Sequence, residues 1–154
     1  MLLPVAGDAL IDLIPQKPPF VLIDALVAIS EHDCKTTFTV TENHVLCNKG
    51  VLSAAGLIEN MAQTCAAKAG YEYVQAGKQI PVGFIGDVRN FVCIKRPLVN
   101  QVITTSIHID NQVFGFSLIT GKIELEGEEI ASCKMKIFVN EPANIEQTHA
   151  AQFT

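Results

Sequence analysis

The chain has 154 residues, of which 49% are hydrophobic and 18% charged, and a net charge of −5. That length suits a single domain with a core of its own. The acidic balance, with basic residues scattered apart from the pair Lys95-Arg96, argues against non-specific binding to nucleic acid. Cys34, Cys47, Cys65, Cys93 and Cys133 form no C-x-x-C pair and sit mostly among apolar neighbours. They read as reduced core residues of a cytoplasmic protein. The histidines are isolated, with no His/Cys pair at ligand spacing, so neither a metal nor another cofactor is expected. The N-terminus lacks a basic stretch, and Pro4 and Asp8 break its apolar character, which argues against a signal peptide. No apolar run is long enough for a membrane span.

In chain order, residues 8–14 predict a short helix stopped by Pro15, and PQKPP at 15–19 a stiff extended entry. Residues 20–30, rich in Val and Ile, predict a first strand, and the alternation over 36–41 a second. Residues 42–50 read as a loop. A long helix is expected after the Ser53 N-cap, with Gly70 suited to a left-handed stop, although the pattern carries on to about Gln75, where Gly77 would close it. Leu52 and Leu57 are spaced for a hydrophobic staple. Four strands follow, over 82–94, 102–110, 113–125 and 129–139. Hairpin turns are expected at Asp110-Asn111-Gln112 and Glu126-Gly127. Residues 1–139 make one domain, and the polar stretch 140–154 reads as a loose tail.

The helix is the most informative segment. At 100° per residue, Ala54, Ala55, Ile58, Met61, Ala62, Cys65, Ala66 and Ala69 share one broad face, expected to pack inward. Glu59, Asn60, Gln63 and Thr64 share the other. Glu59 lies at the seam, where partial loss of water suits a carboxyl group to proton transfer. Most lone glutamates on helices are simply solvated, so the neighbourhood of Glu59 carries the argument. Two strands, one long helix and four strands make an α+β pattern. A single helix held in the curl of a six-stranded antiparallel sheet is the hot-dog architecture. One such sheet leaves an edge and an apolar rim to cover, so a dimer or a dimer of dimers is expected.

Two motifs sharpen this reading. The first is Ile14-Pro15-Gln16-Lys17-Pro18-Pro19-Phe20-Val21-Leu22-Ile23-Asp24, and the second is Glu59-Asn60-Met61-Ala62-Gln63. Together, and in this order, they make the chain similar to the hot-dog 3-hydroxyacyl-acyl-carrier-protein dehydratases. Those open with Ile-Pro-His-x-x-Pro-Phe-x-x-x-Asp and carry Glu-Ala-x-Ala-Gln on the central helix. The closer resemblance is to divergent dehydratase-like proteins of aryl-polyene and flexirubin-type pigment pathways, which share a helix of the form GLIENMAQ and a strand like GFIG. The departure is the loop Asn43-His44-Val45-Leu46-Cys47-Asn48-Lys49-Gly50, which keeps a histidine but lacks the family's preceding Gly and following prolines. His44 stands fifteen residues before Glu59, one more than in the family.

The resemblance implies that His44 takes the C2 proton of a 3-hydroxyacyl thioester, while Glu59, from the partner subunit, protonates the leaving hydroxyl to give the trans-2-enoyl product. Backbone amides around Ala55 and Gly56 would face the thioester oxygen. Gln63, one turn from Glu59, completes the candidate substrate-binding set as a tether rather than a reactant. The implied partner is acyl carrier protein bearing a phosphopantetheine-linked chain, with Lys95-Arg96 as either a docking pair or a solvated turn. Two other readings stay open: an acyl thioesterase using Glu59 as base without His44, and a non-catalytic hot-dog subunit that completes a partner's site.

Overall fold

The computed structural model describes residues 1–140. Its elements run β1 (Val5–Ala6), α1 (Asp8–Ile11), β2 (Ala25–Ile29), β3 (Asp33–Thr39), β4 (Cys47–Asn48) and β5 (Val51–Leu52). Then come α2 (Ala54–Gln75), β6 (Val82–Cys93), β7 (Val102–Val113), β8 (Phe116–Leu125) and β9 (Glu128–Asn140). The antiparallel main sheet has the order β1-β2-β3-β7-β8-β9-β6. It therefore has seven strands rather than the six expected, because the two residues of β1 add to β2 at one edge. With α2 lying against its inner face, this is the hot-dog arrangement. Among the described residues, no helix is long and apolar enough to cross a membrane.

The core lies between α2 and the alternating inward residues of the sheet, where Leu57, Met61, Ile103, Ile107, Ile119 and Ile123 are essentially inaccessible. Helix and sheet approach closely at Gly121, where an added Cβ would lie 2.5 Å from the Met61 sulfur. On the opposite flank, Leu10, Leu13 and Ile14 pack with Ile23 and Leu26 in a second cluster.

Several boundaries differ from the sequence reading, each for a local reason. The first strand is shorter, Ala25–Ile29, because residues 20–22 bond to helix side chains instead of a neighbouring strand. The first helix is a single turn, Asp8–Ile11. The turn placed at Asp110-Asn111-Gln112 lies inside β7, which absorbs an irregularity between Ile109 and Asn111 and turns instead at Phe114-Gly115. Gly115 takes the left-handed conformation there (φ 88°), and Glu126-Gly127 turns as expected. The loop at 42–50 contains β4, paired with β5 through a turn at Lys49-Gly50. Strand β9 runs one residue further than the expected domain end, to Asn140. The rest of the expected tail lies outside the described residues.

The helix is oriented differently from the amphipathic reading. Asn60, Gln63, Thr64 and Lys68 are inaccessible, while Ala55 is exposed and Ile58, Ala62, Ala66 and Ala69 are half-buried. The polar residues face protein because each finds a hydrogen-bond partner there, which removes the penalty of burial. The alanine stripe instead forms the wall of a cavity.

Candidate active site

Glu59 stands in the second turn of α2 and is half-buried. The helix starts at Ser53, whose hydroxyl accepts from the Gly56 amide at 3.1 Å. One turn on from Glu59, the Gln63 side chain donates both to Glu59 Oε1 (3.0 Å) and to the Phe20 carbonyl (2.8 Å). Its own oxygen accepts from the Leu22 amide at 2.7 Å. Asn60 donates to the Leu22 carbonyl at 2.8 Å and accepts from the Thr105 hydroxyl at 2.5 Å. Thr64 donates to the Asn60 carbonyl (2.9 Å), so the 2.7 Å contact between the Thr64 and Thr36 hydroxyls is donated by Thr36. The helix thus grips the extended segment 20–22 with side chains, and one of them also orients the Glu59 carboxyl.

His44 holds the same segment from the other side. Its Nδ1 accepts from the Leu46 amide (3.0 Å) and its Nε2 lies 3.0 Å from the Val21 carbonyl. A main-chain N–H can only donate, so Nδ1 is the bare nitrogen and Nε2 carries the hydrogen, given to Val21. The ring is buried, edge-on to Phe38 at 6.0 Å between centroids. Its one lone pair is therefore taken by main chain, and the ring neither swings to solvent nor stands free.

Two cavities meet at Glu59. The larger, about 830 Å³, runs along the Ala62, Ala66 and Ala69 stripe towards Phe84, Ile85 and Phe116. The smaller, about 440 Å³, is walled by Gln16, Lys17, Phe20, Leu46, Ala55 and Glu59. Among the described residues, Gln16 and Glu59 are the pair common to both walls. At the far end of the larger cavity the inaccessible Lys68 pairs with Glu72, one turn further along the helix.

The other candidates divide. Ala55 faces the smaller cavity at the helix start, where first-turn amides lack intrahelical acceptors. Gly56 is buried behind it, with its amide bonded to Ser53. Gln63 is inaccessible and tethers Glu59. Lys95 and Arg96 are exposed, beyond the end of β6. Sequence reasoning passed over Gln16 and the buried Lys68, which pairs with the exposed Glu72. The available signal for Gln16 was that it stands where the dehydratase element has a histidine; for Lys68 no pattern in the sequence marked burial. Among the described residues no group of three or more His, Cys, Asp or Glu side chains is placed to hold a metal ion.

A hot-dog sheet around one long helix, with a half-buried carboxyl group lining two cavities, places the chain among hot-dog proteins with a site suited to proton transfer. A family model described as ApeP dehydratase matches residues 9–150, and the chain belongs to this ApeP-like family. Among solved structures, it is similar to the dehydratase heterocomplex ApeI:P from Xenorhabdus doucetiae, at 18% identity over 98% of this chain and 99% of that one, with a TM-score of 0.81. It also resembles the uncharacterized protein PH1136 from Pyrococcus horikoshii, at 12% identity over 90% of this chain and 96% of that one, TM-score 0.64. A hypothetical thioesterase with coenzyme A from Streptococcus pneumoniae TIGR4 matches at 14% identity over 77% of this chain and 87% of that one, TM-score 0.59. No curated protein matches the sequence.

Proposed function

We propose that this dehydratase removes water from a 3-hydroxyacyl thioester on acyl carrier protein, giving the trans-2-enoyl thioester in polyene- or pigment-type biosynthesis in the cytoplasm. The observation that carries the reading is the position of Glu59 where the two cavities meet. The acyl chain lies along the alanine stripe, and the thioester and pantetheine occupy the smaller cavity. The Ala55 amide, at the positive end of α2, faces the thioester oxygen. Glu59 delivers its proton to the C3 hydroxyl, and Gln63 holds the carboxyl in place. The Lys95-Arg96 pair supplies positive charge for an acidic carrier protein.

His44 is the proposed base for the C2 proton. To serve, it must first release the Leu46 amide, a neutral hydrogen bond worth about 1 kcal/mol. That bond favours a second reading, in which this chain contributes Glu59 to a hetero-oligomer and the partner subunit brings the base. The heterocomplex in which the similar Xenorhabdus structure was solved supports such an assembly. In a homodimer, by contrast, the same site would be built twice from this chain.

The test is turnover of 3-hydroxyacyl carrier-protein thioesters by the protein alone and with a hot-dog partner. Glu59→Gln is expected to abolish enoyl formation while leaving the fold intact. His44→Ala is expected to slow it by about 10²–10⁴-fold if His44 is the base. Unchanged turnover in His44→Ala moves the base to the partner, and unchanged turnover in Glu59→Gln rejects the site.

A further inference from the structure

We infer that the larger cavity measures the length of the substrate's acyl chain, with Ala66 and Ala69 as the residues that set how many carbons pass. The inference deepens the dehydratase reading and rests on it. Among the described residues, the cavity's wall along α2 begins at Glu59 and ends at Tyr73, fourteen residues further on. At about 1.5 Å per residue, that wall is about 21 Å long. An extended chain advances about 1.2 Å per bond, since three backbone bonds span at most about 3.6 Å. With C3 of the substrate at Glu59, the cavity has room for about seventeen carbons beyond it.

Between those ends, Ala62, Ala66 and Ala69 carry no side-chain atom beyond Cβ, and all three are half-buried, so each is accessible from the cavity. Across from them stand Phe84, Ile85 and Phe116 of the sheet. Such a lining rewards an alkyl chain carbon by carbon, each buried methylene being worth up to about fourfold in affinity. The reward stops where the wall turns charged, at Glu72, whose side chain is 50% exposed and pairs with Lys68.

A cavity can measure length only if its walls keep their places. Asn60 ties α2 to the sheet, accepting from Thr105 on β7 at 2.5 Å. Further along, a Cβ on Gly70 would come within 1.8 Å of the Leu13 carbonyl oxygen, so the helix has no room to shift towards that segment. Ala66 and Ala69 therefore stand at fixed distances from Glu59 along the helix axis, about 10 and 15 Å. Side chains on a helix lean towards its N-terminus and cover the turn before their own Cα. A phenyl ring at position 66 would cover the stretch about 5–10 Å from Glu59, and one at position 69 the stretch about 10–15 Å from it.

The test is calorimetric binding of hexanoyl-, decanoyl- and tetradecanoyl-pantetheine amide, none of them hydrolysable, to the full chain. The turnover assay above runs alongside, with 3-hydroxyacyl chains of the same lengths. With C3 at Glu59, the three chains end about 4, 8 and 13 Å along the cavity. The wild type is expected to bind each longer probe at least about tenfold tighter than the one before. Ala66→Phe is expected to lose the gain at decanoyl and at tetradecanoyl, while leaving hexanoyl binding within about twofold. Ala69→Phe is expected to lose only the gain from decanoyl to tetradecanoyl. A merely structural effect would weaken all three probes together and would not move with the position substituted. Flat affinity across the wild-type series, loss of the same probes in both variants, weakened hexanoyl binding in Ala69→Phe, or no binding of any probe overturns the assignment. Should the phenylalanine variants fail to fold, the wild-type series with Ala66→Leu and Ala69→Leu decides it. A wild type that shows the series yet dehydrates nothing, alone or with a partner, refutes the proposed function while upholding the measurement of length. Turnover of every chain length with flat binding does the reverse.

Discussion

Asn60 shows how much one buried side chain carries. Its amide links the entry segment at Leu22 to β7 at Thr105, with no exposure to solvent. Asn60→Ala leaves a carbonyl and a hydroxyl unpaired in the core, and urea denaturation is expected to show a loss of about 2–4 kcal/mol. The cysteines make a second residue-scale case. Burial pushes the Cys34 thiol up to about 12, helped by neighbouring Cys65, and pushes Cys65 and Cys133 to about 11. Thiolate is the reactive form. Iodoacetamide at pH 8 is therefore expected to label the half-buried Cys47 and Cys93 first, as mass mapping of the native protein would reveal. The linkage has a definite sign. Above the ordinary thiol value of 9.0 the unfolded chain ionises these groups while the folded chain keeps them protonated. The native state then binds more protons, so their contribution to stability falls as pH rises above 9.0 and is fully present below it.

At the scale of elements, helix α2 is fixed by its polar grip and by close backbone approaches. The most severe is Gly70, whose missing Cβ admits the Leu13 carbonyl. Gly70→Ala must push the segment after α1 away, taking Leu13 and Ile14 with it. The expected loss is about 1–3 kcal/mol or more, with weaker substrate binding. A thermal midpoint matching the wild type would contradict it. The motif at 14–24 has a role that periodicity could not reveal. Instead of starting a strand, residues 20–22 are strapped across α2 by Asn60, Gln63 and His44, so the entry segment shapes the site.

For the whole molecule, β6 is twelve residues long and lies at the edge of the sheet, with Val82, Phe84 and Val92 more than half exposed. A long apolar edge of this kind invites pairing with another chain. Sedimentation at micromolar concentration is expected to show a dimer or larger assembly, alone or with a hot-dog partner. Val92→Lys, which places charge on that edge, should shift it towards monomer. A wild type that stays monomeric with and without a partner would contradict this.

By itself the sequence determined the class of this protein. Local signals sufficed for the Ser53 cap, the Glu126-Gly127 turn and the alternation of β8 and β9, whereas Gly70, suited by sequence to a helix stop, lies inside α2, which ends at Gln75 before Gly77. The two motifs, in order, identified the dehydratase family. What only the tertiary structure decided is which way the helix faces and what surrounds Glu59. A helical wheel sorts residues by polarity, so it sent Asn60, Gln63 and Thr64 to solvent. Their burial depends on partners at Leu22, Phe20, Thr36 and Thr105, which are distant in sequence and meet them only once the sheet has curled around the helix. The same applies to His44, whose chemistry is set by two main-chain groups, at Val21 and Leu46, that the fold brings to its ring.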